Sequence, residues 1–347
     1  MSDLHENDRG GAAQPLLIVE GLRKHFKVKT KNGKPAAVKA VDDVGFTVFK
    51  GETLGVVGES GCGKSTLARL LMHLIAPDTG TLIFDGEAVD SPDGISVDAL
   101  RRQMQMVFQD SYSSLNPRMP VRDSVAFGPM VHGKSRDQSR LVAKDMLTKV
   151  GLNPELFGPR YPHELSGGQK QRVNIARALA ISPRMVILDE AVSALDKSVE
   201  AQVLNLLRQL KRSFNLTYLF ISHDLNVVQY ISDRVLVMYL GRVVELGPVD
   251  EIFRRPKHPY TRALLGSQSS MDPARRLEEP PITGDPPSPI NPPSGCRFRT
   301  RCLHAVSVCE TTMPELSAWR DRDSHVAACH IHDPTSRHAL ANVAGSA

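Results

Sequence analysis

The residues most able to do chemistry come as nine in a row, Gly58-Glu59-Ser60-Gly61-Cys62-Gly63-Lys64-Ser65-Thr66. They follow the apolar run Leu54-Gly55-Val56-Val57 and precede the helix-like Leu67-Ala68-Arg69-Leu70-Leu71-Met72. A strand, a glycine turn and a helix in that order let backbone N–H groups close on a polyphosphate at the helix N-terminus. Lys64 then supplies a point charge to the outer phosphates, the Ser65 hydroxyl ligates Mg²⁺, and Cys62 contributes its backbone amide. A turn that merely joined two elements would have no use for Lys and Ser after its last glycine. The motif is a P-loop, which names a nucleotide and leaves its use open.

Two further stretches bear on that use. Val186-Ile187-Leu188-Asp189 is an apolar strand ending in a carboxylate suited to a Mg²⁺ shell, and Glu190 beside it is placed to polarise an attacking water. Leu165-Ser166-Gly167-Gly168-Gln169 opens a helix and forms a second anion-binding N-terminus with a hydroxyl and two glycines. One chain cannot easily turn two such cradles on one triphosphate.

The elements that must position these residues follow from pattern. Residues 16–26 and 38–48 read as strands, residues 80–86 and 104–108 as shorter ones, and Ser91-Pro92-Asp93-Gly94 as a turn. Between about 121 and 161, Val125, Leu141, Met146, Leu147, Val150 and Leu152 sit at helical spacings, which predicts a helical insert. Helix 169–181, strand 185–188, helix 197–214, strand 217–221, helix 224–230 and strands 234–239 and 242–246 then alternate, favouring a parallel sheet covered by helices. In the helix 197–214, Val199, Val203, Leu206, Leu207, Leu210 and Phe214 mark one face.

With 347 residues the chain can bury a large core, and its 43 basic against 38 acidic residues give a net charge of +5 that suits a mixed surface. The absence of a nucleic-acid-sized basic block argues against that partner. No apolar run reaches the roughly 18 residues of a membrane span, and residues 1–14 lack the order of a signal peptide. A cytosolic chain is expected, with any membrane role peripheral. Residues 1–14 and 336–347 read as tails, and the proline-rich stretch 269–295 as a semi-rigid connector.

Five cysteines in that compartment argue against disulfides. Cys296, Cys302, Cys309 and Cys329 are separated by five, six and nineteen intervening residues in a segment, 296–335, with few apolar residues: Phe298, Val306, Val308, Leu316, Trp319 and Val326. So small a unit needs a staple, and four thiolates suit tetrahedral zinc or a cubane iron–sulfur cluster, with free thiols the remaining choice. Cys-x-x-Cys pairs of the zinc-ribbon kind are missing. His304, His325 and His330 read as surface histidines.

Over residues 16–255 the ordered motifs resemble the ATP-binding cassette (ABC) family, with 165–169 the most specific of them, and residues 15–268 are read as the ATPase domain. The resemblance implies an α/β fold: a RecA-like parallel-sheet core of the P-loop NTPase type, an antiparallel β subdomain and a helical insert over about 121–168, here with a small cysteine-rich C-terminal segment. It implies that Phe26 stacks on adenine and that Ser166, Gly167, Gly168 and Gln169 cap the ATP held by a second subunit. Gln109 and Asp189 join Ser65 around Mg²⁺, Glu190 is the catalytic carboxylate, and His223 contacts the γ-phosphate. The loop Ser193-Ala194-Leu195-Asp196 runs along the dimer interface.

Residues 110–118 after Gln109, and His258-Pro259-Tyr260-Thr261-Arg262-Ala263-Leu264-Leu265, are similar to stretches of the oligopeptide and dipeptide importer ATPases. Taken bare, the second is a short amphipathic helix packed on the cassette. That resemblance implies a 4Fe-4S cluster on the four late cysteines. The implied partners are a similar but non-identical ATPase subunit, two transmembrane permease subunits and, indirectly, an extracytoplasmic peptide-binding protein. The expected place is the cytoplasmic face of the plasma (inner) membrane. Import of another solute, such as nickel or glutathione, and a soluble cassette ATPase acting on nucleic acid or ribosomes are the alternatives.

Overall fold

Short apolar runs closed by glycine alternate with amphipathic ones in a computed structural model that describes residues 14–29, 33–110, 113–267, 284–317 and 320–341. Strands β1 (Pro15–Lys29) and β2 (Pro35–Phe49) form a long antiparallel hairpin from Pro15↔Phe49 to Lys29↔Pro35. Then come β3 (Thr53–Val57), α1 (Lys64–Leu71), β4 (Thr79–Phe84), β5 (Glu87–Ala88), α2 (Val97–Gln103) and β6 (Met104–Val107). A helical stretch follows: α3 (Val121–Val131), α4 (Arg136–Lys149), α5 (Pro154–Phe157) and α6 (Gly167–Leu179). Next are β7 (Met185–Asp189), α7 (Lys197–Phe214), β8 (Thr217–Ile221), α8 (Leu225–Ile231), β9 (Arg234–Tyr239) and β10 (Arg242–Pro248). The chain closes with α9 (Val249–Arg254), α10 (Pro259–Gly266), α11 (Ser307–Thr311) and β11 (Val326–Ala327).

Two sheets result. The smaller is antiparallel in the order β2-β1-β4-β5, and the larger has the order β11-β10-β9-β3-β8-β7-β6. Strands β9, β3, β8, β7 and β6 run parallel, as the alternation of elements predicts. Residues 242–246 do not continue that pattern, because β10 returns antiparallel to β9. The reason is the two-residue connection Leu240 (φ 45) and Gly241 (φ 80), whose paired positive φ values make a tight hairpin turn.

Burial explains the central place of β3, whose five residues are all buried. A Cβ at Gly55 would lie 2.5 Å from Ser232 Oγ and 2.6 Å from Val228 Cγ1, so α8 packs too closely for any other residue. In α7 the buried Val203, Leu206, Leu207 and Leu210 repeat at helical spacing on one face. Each such side chain contributes about 1.5–3 kcal/mol by leaving water. Asn215, in the left-handed conformation at φ 52, ends that helix.

The C-terminal segment shares the core of the preceding residues. Phe298 is 3 % exposed and belongs to the main apolar cluster, its ring centroid 5.4 Å from that of Tyr239 and 5.5 Å from that of Tyr260. Buried Arg297 donates to the Asp42 carboxylate and to the Leu240 carbonyl, and β11 pairs with β10. Leu316 and Val326 pack on the second cluster, and Trp319 lies outside the described residues. His325 and His330 are not surface histidines. The first donates from Nε2 to the buried Glu245 carboxylate at 2.7 Å, and the second is 4 % exposed with its Nε2 3.0 Å from the Thr312 carbonyl. His304 is exposed.

Of the tails and connector, residues 1–13, 268–283 and 342–347 lie outside the described residues; within 284–295, the Pro289 carbonyl accepts from the Lys39 amide at 3.1 Å. No described helix is long and apolar enough to cross a membrane.

Candidate nucleotide site

The P-loop leaves the C-terminal end of the central strand β3. Gly58 (φ 149) and Gly63 (φ 111) carry its sharpest turns, and a Cβ would fall 2.2 Å from the Met238 carbonyl oxygen at Gly58 and 2.1 Å from that of Ala40 at Gly63. Both positions therefore require glycine. Lys64 is 6 % exposed, and its Nζ donates to the Gly58 and Glu59 carbonyls at 2.7 and 3.1 Å, which keeps the ammonium over the loop. Burial raises the pKa of the Cys62 thiol, consistent with a part played through its backbone. Ser60 and Gly61 stand exposed at the outer turn, and Thr66 follows Ser65 in α1.

Neighbouring parallel strands bring the other groups to the same edge of the sheet. Asp189 ends β7 and accepts from the Ser65 hydroxyl at 3.2 Å. Burial raises its pKa and Glu190 adds to this, against the Ser65 hydrogen bond and the charges of Arg69 and Lys64. Glu190 has φ 49, a left-handed conformation that a non-glycine residue adopts at a cost of about 1–2 kcal/mol. Its amide donates to the Ile221 carbonyl of β8, and its Oε2 accepts from Gln109 Nε2 at 2.8 Å and lies 3.5 Å from His223 Nδ1. Gln109 follows β6 and His223 follows β8, so the ends of three strands converge on one carboxylate.

Phe26 sits on β1 opposite Val38, two residues before the Ala40 carbonyl that abuts Gly63, and it is 36 % exposed. Lys24 Nζ lies 5.9 Å from the centroid of the Phe26 ring. Ser166 and Gly167 are exposed at the start of α6, where Ser166 and Gln169 form a reciprocal capping box. A Cβ at Gly168 would lie 2.5 Å from Val199 Cγ1, and one at Gly167 3.6 Å from Leu195 Cδ2. Gly168 therefore lets α6 start against the first turn of α7, whereas Gly167 has room for a side chain beside Leu195.

Two contributors escape a local reading of the sequence: Tyr260 and Arg301. The Tyr260 hydroxyl accepts from the Glu59 amide at 2.9 Å, and Arg301 grips the Glu59 carboxylate across 242 residues of chain. No spacing signals such contacts.

Cys296, Cys302, Cys309 and Cys329 line one small cavity, together with His304, His330 and His338. Burial pushes the Cys296 and Cys329 thiols up to about 11 and about 12, with the neighbouring thiols adding to it. The expected metal centre is not assembled: among the described residues, no three His, Cys, Asp or Glu side chains are arranged to hold a metal ion.

A phosphate turn, a strand-end carboxylate pair and a second glycine-capped helix around one parallel sheet define a P-loop ATPase of the cassette class. Comparison with known proteins makes this particular: residues 41–193 match the family described as "ABC transporter" and residues 244–309 match "Oligopeptide/dipeptide transporter, C-terminal region". A "Probable peptide ABC transporter ATP-binding protein y4tS" of Sinorhizobium fredii is 50% identical over 96% of this chain and 93% of its own length. The oligopeptide transport ATP-binding protein AppF of Bacillus subtilis is 45% identical over 92% and 98%. The chain belongs to the ATP-binding proteins of the ABC transporter family. Among solved structures, cbiO1 from Clostridium perfringens, part of an ABC transporter complex, is 30% identical with a TM-score of 0.60 over 70% of this chain and 92% of its own. A dimeric ATP-binding cassette bound to ADP and Pi is 26% identical with a TM-score of 0.57 over 67% and 98%.

Proposed function

We propose that this chain is the ATP-hydrolysing subunit that powers import of oligopeptides or dipeptides through a membrane transporter. The observation that carries it is the match of residues 244–309 to the peptide-transporter C-terminal region, on a chain whose relatives carry peptide-transport names. The alternatives of another solute or a soluble cassette machine find no support in those relatives. Residues 15–268 serve as the ATPase domain, with the C-terminal segment packed on it.

Phe26 takes the adenine, and the amides of residues 58–66 with Lys64 take the phosphates. Ser65, Asp189 and Gln109 form an oxygen-rich donor set that fits Mg²⁺, which would neutralise phosphate charge. Glu190, held by Gln109 and within reach of His223, orients the attacking water, and His223 contacts the γ-phosphate. Ser166 and Gly167 are exposed at the start of α6, with Gly168 and Gln169 half-buried behind them, as a helix N-terminus that caps the ATP of a second, non-identical ATPase subunit would be. Closure of that pair drives two permease subunits, which receive peptide from an extracytoplasmic binding protein. A groove of about 750 Å³ lined by Leu74, Phe108, Gln109, Phe127, His132 and Arg177 offers the permeases a site next to Gln109. The place of work is the cytoplasmic face of the inner membrane, with no nucleic acid involved.

The four late thiols hold a 4Fe-4S cluster in this reading, zinc being the alternative. It is supported by their sharing one cavity, and requires the side chains to close further on it than they do here.

The function is tested with the complex rebuilt in liposomes. Peptide-loaded binding protein is expected to raise ATP hydrolysis severalfold, and hydrolysis indifferent to every peptide and to the permeases would refute the proposal.

A further inference from the structure

The outer turn of the P-loop has little of its own cassette around it. Ser60 and Gly61 are exposed, and nothing lies within 4 Å of a Cβ at Gly61. Yet this turn must present its amides in a fixed array, since an array that orders only on binding loses affinity to conformational entropy. It also carries Glu59, a carboxylate at the rim of a site for a polyanion, where like charge opposes binding.

Both problems meet one answer outside the motif. Arg301 places Nη1 at 3.1 and 3.0 Å from the two Glu59 oxygens and Nη2 at 3.1 Å from the first. Its side chain is 7 % exposed and that of Glu59 23 %, so the pair is partly shielded from water. Tyr239, whose hydroxyl lies 3.4 Å from Arg301 Nη1, and the fully buried Tyr260, which accepts the Glu59 amide, complete the grip. Forked guanidinium–carboxylate pairs fix orientation as well as charge.

We propose that Arg301 is a positioning residue for the phosphate site. Its fork on Glu59, with Tyr260 on the Glu59 amide, holds the outer turn ready for phosphate and neutralises the carboxylate at its rim. The C-terminal segment thereby sets nucleotide affinity in cis. The inference rests on residues 58–66 being the phosphate cradle.

The test is calorimetric binding of Mg-ATP to the full chain and its variants, with melting temperature measured without nucleotide. Arg301→Ala is expected to weaken ATP binding about tenfold, and Arg301→Lys, which keeps charge but not the fork, by a smaller factor. In an Arg301→Ala, Glu59→Gln double variant the loss is expected to shrink to that of Glu59→Gln alone, because the unneutralised carboxylate is gone. An unchanged ATP affinity in Arg301→Ala, or losses that simply multiply in the double variant, would overturn the clamp. So would a lowered melting temperature as the sole effect. Should Arg301→Ala fail to fold, Arg301→Lys and the partly exposed Glu59→Gln carry the same comparison. A wild-type chain that does not bind ATP would instead refute the phosphate cradle.

Discussion

At Glu190 a single side chain collects Gln109 and His223 while its own backbone is held at φ 49 by a hydrogen bond to Ile221. The strain places the carboxylate beyond the strand end, where its neighbour Asp189 stays on Ser65. Glu190→Gln keeps the shape and loses the base. ATP affinity is expected to stay within about twofold while turnover of the assembled transporter falls by about 10²–10⁴. Steady-state hydrolysis at the wild-type rate would remove Glu190 from the mechanism. The position of the carboxylate pair was legible in sequence because a pair of acids after an apolar strand is a local pattern. The left-handed backbone was not, because a glutamate signals no positive φ.

Among the elements, α10 joins the C-terminal segment to the site. His258 caps it, its Nδ1 accepting the Tyr260 amide at 3.0 Å, so the ring must be neutral at that nitrogen. Burial drives the His258 pKa down to about 4, against the attraction of Glu245 and with His332 adding to the effect. The folded value lies below the unfolded one, so stability is complete above about pH 6.5 and is lost as pH falls toward 4. The loss amounts to ~3 kcal/mol across that window. His258→Asn retains a capping acceptor and removes the titration. Urea midpoints should therefore fall less steeply from pH 7 to 4 in the variant than in the wild type, the remaining slope coming from other shifted groups such as His332, whose pKa burial lowers, and Glu52, whose pKa burial raises to about 6. Identical slopes would contradict the neutral cap. The sequence offered this helix only as a short amphipathic run after a proline, because burial depth is set by partners far along the chain.

For the whole molecule, what could be read in advance was what each stretch encodes for itself: parallel strands, their phosphate and carboxylate ends, and the helical insert. What could not be read was how the last fifth of the chain docks. Arg297 reaches Asp42 across 255 residues and Phe298 fills a core made by Tyr239 and Tyr260, contacts with no local signature. The same docking governs the four thiols. Their cavity is closed by His258 and Phe298 of the shared core, so whatever occupies it is coupled to the cassette. The 4Fe-4S centre proposed above predicts that anaerobically purified chain is brown, with about four irons and matching sulfide per chain. It should melt in one cooperative transition that drops by several degrees when the iron is stripped, since a ligand held only by the folded state stabilises the entire unit. Zinc without iron would overturn the cluster. Two separate transitions, the lower alone responding to iron, would overturn the shared core, because a segment that lent Phe298 and Arg297 to the cassette could not unfold without it.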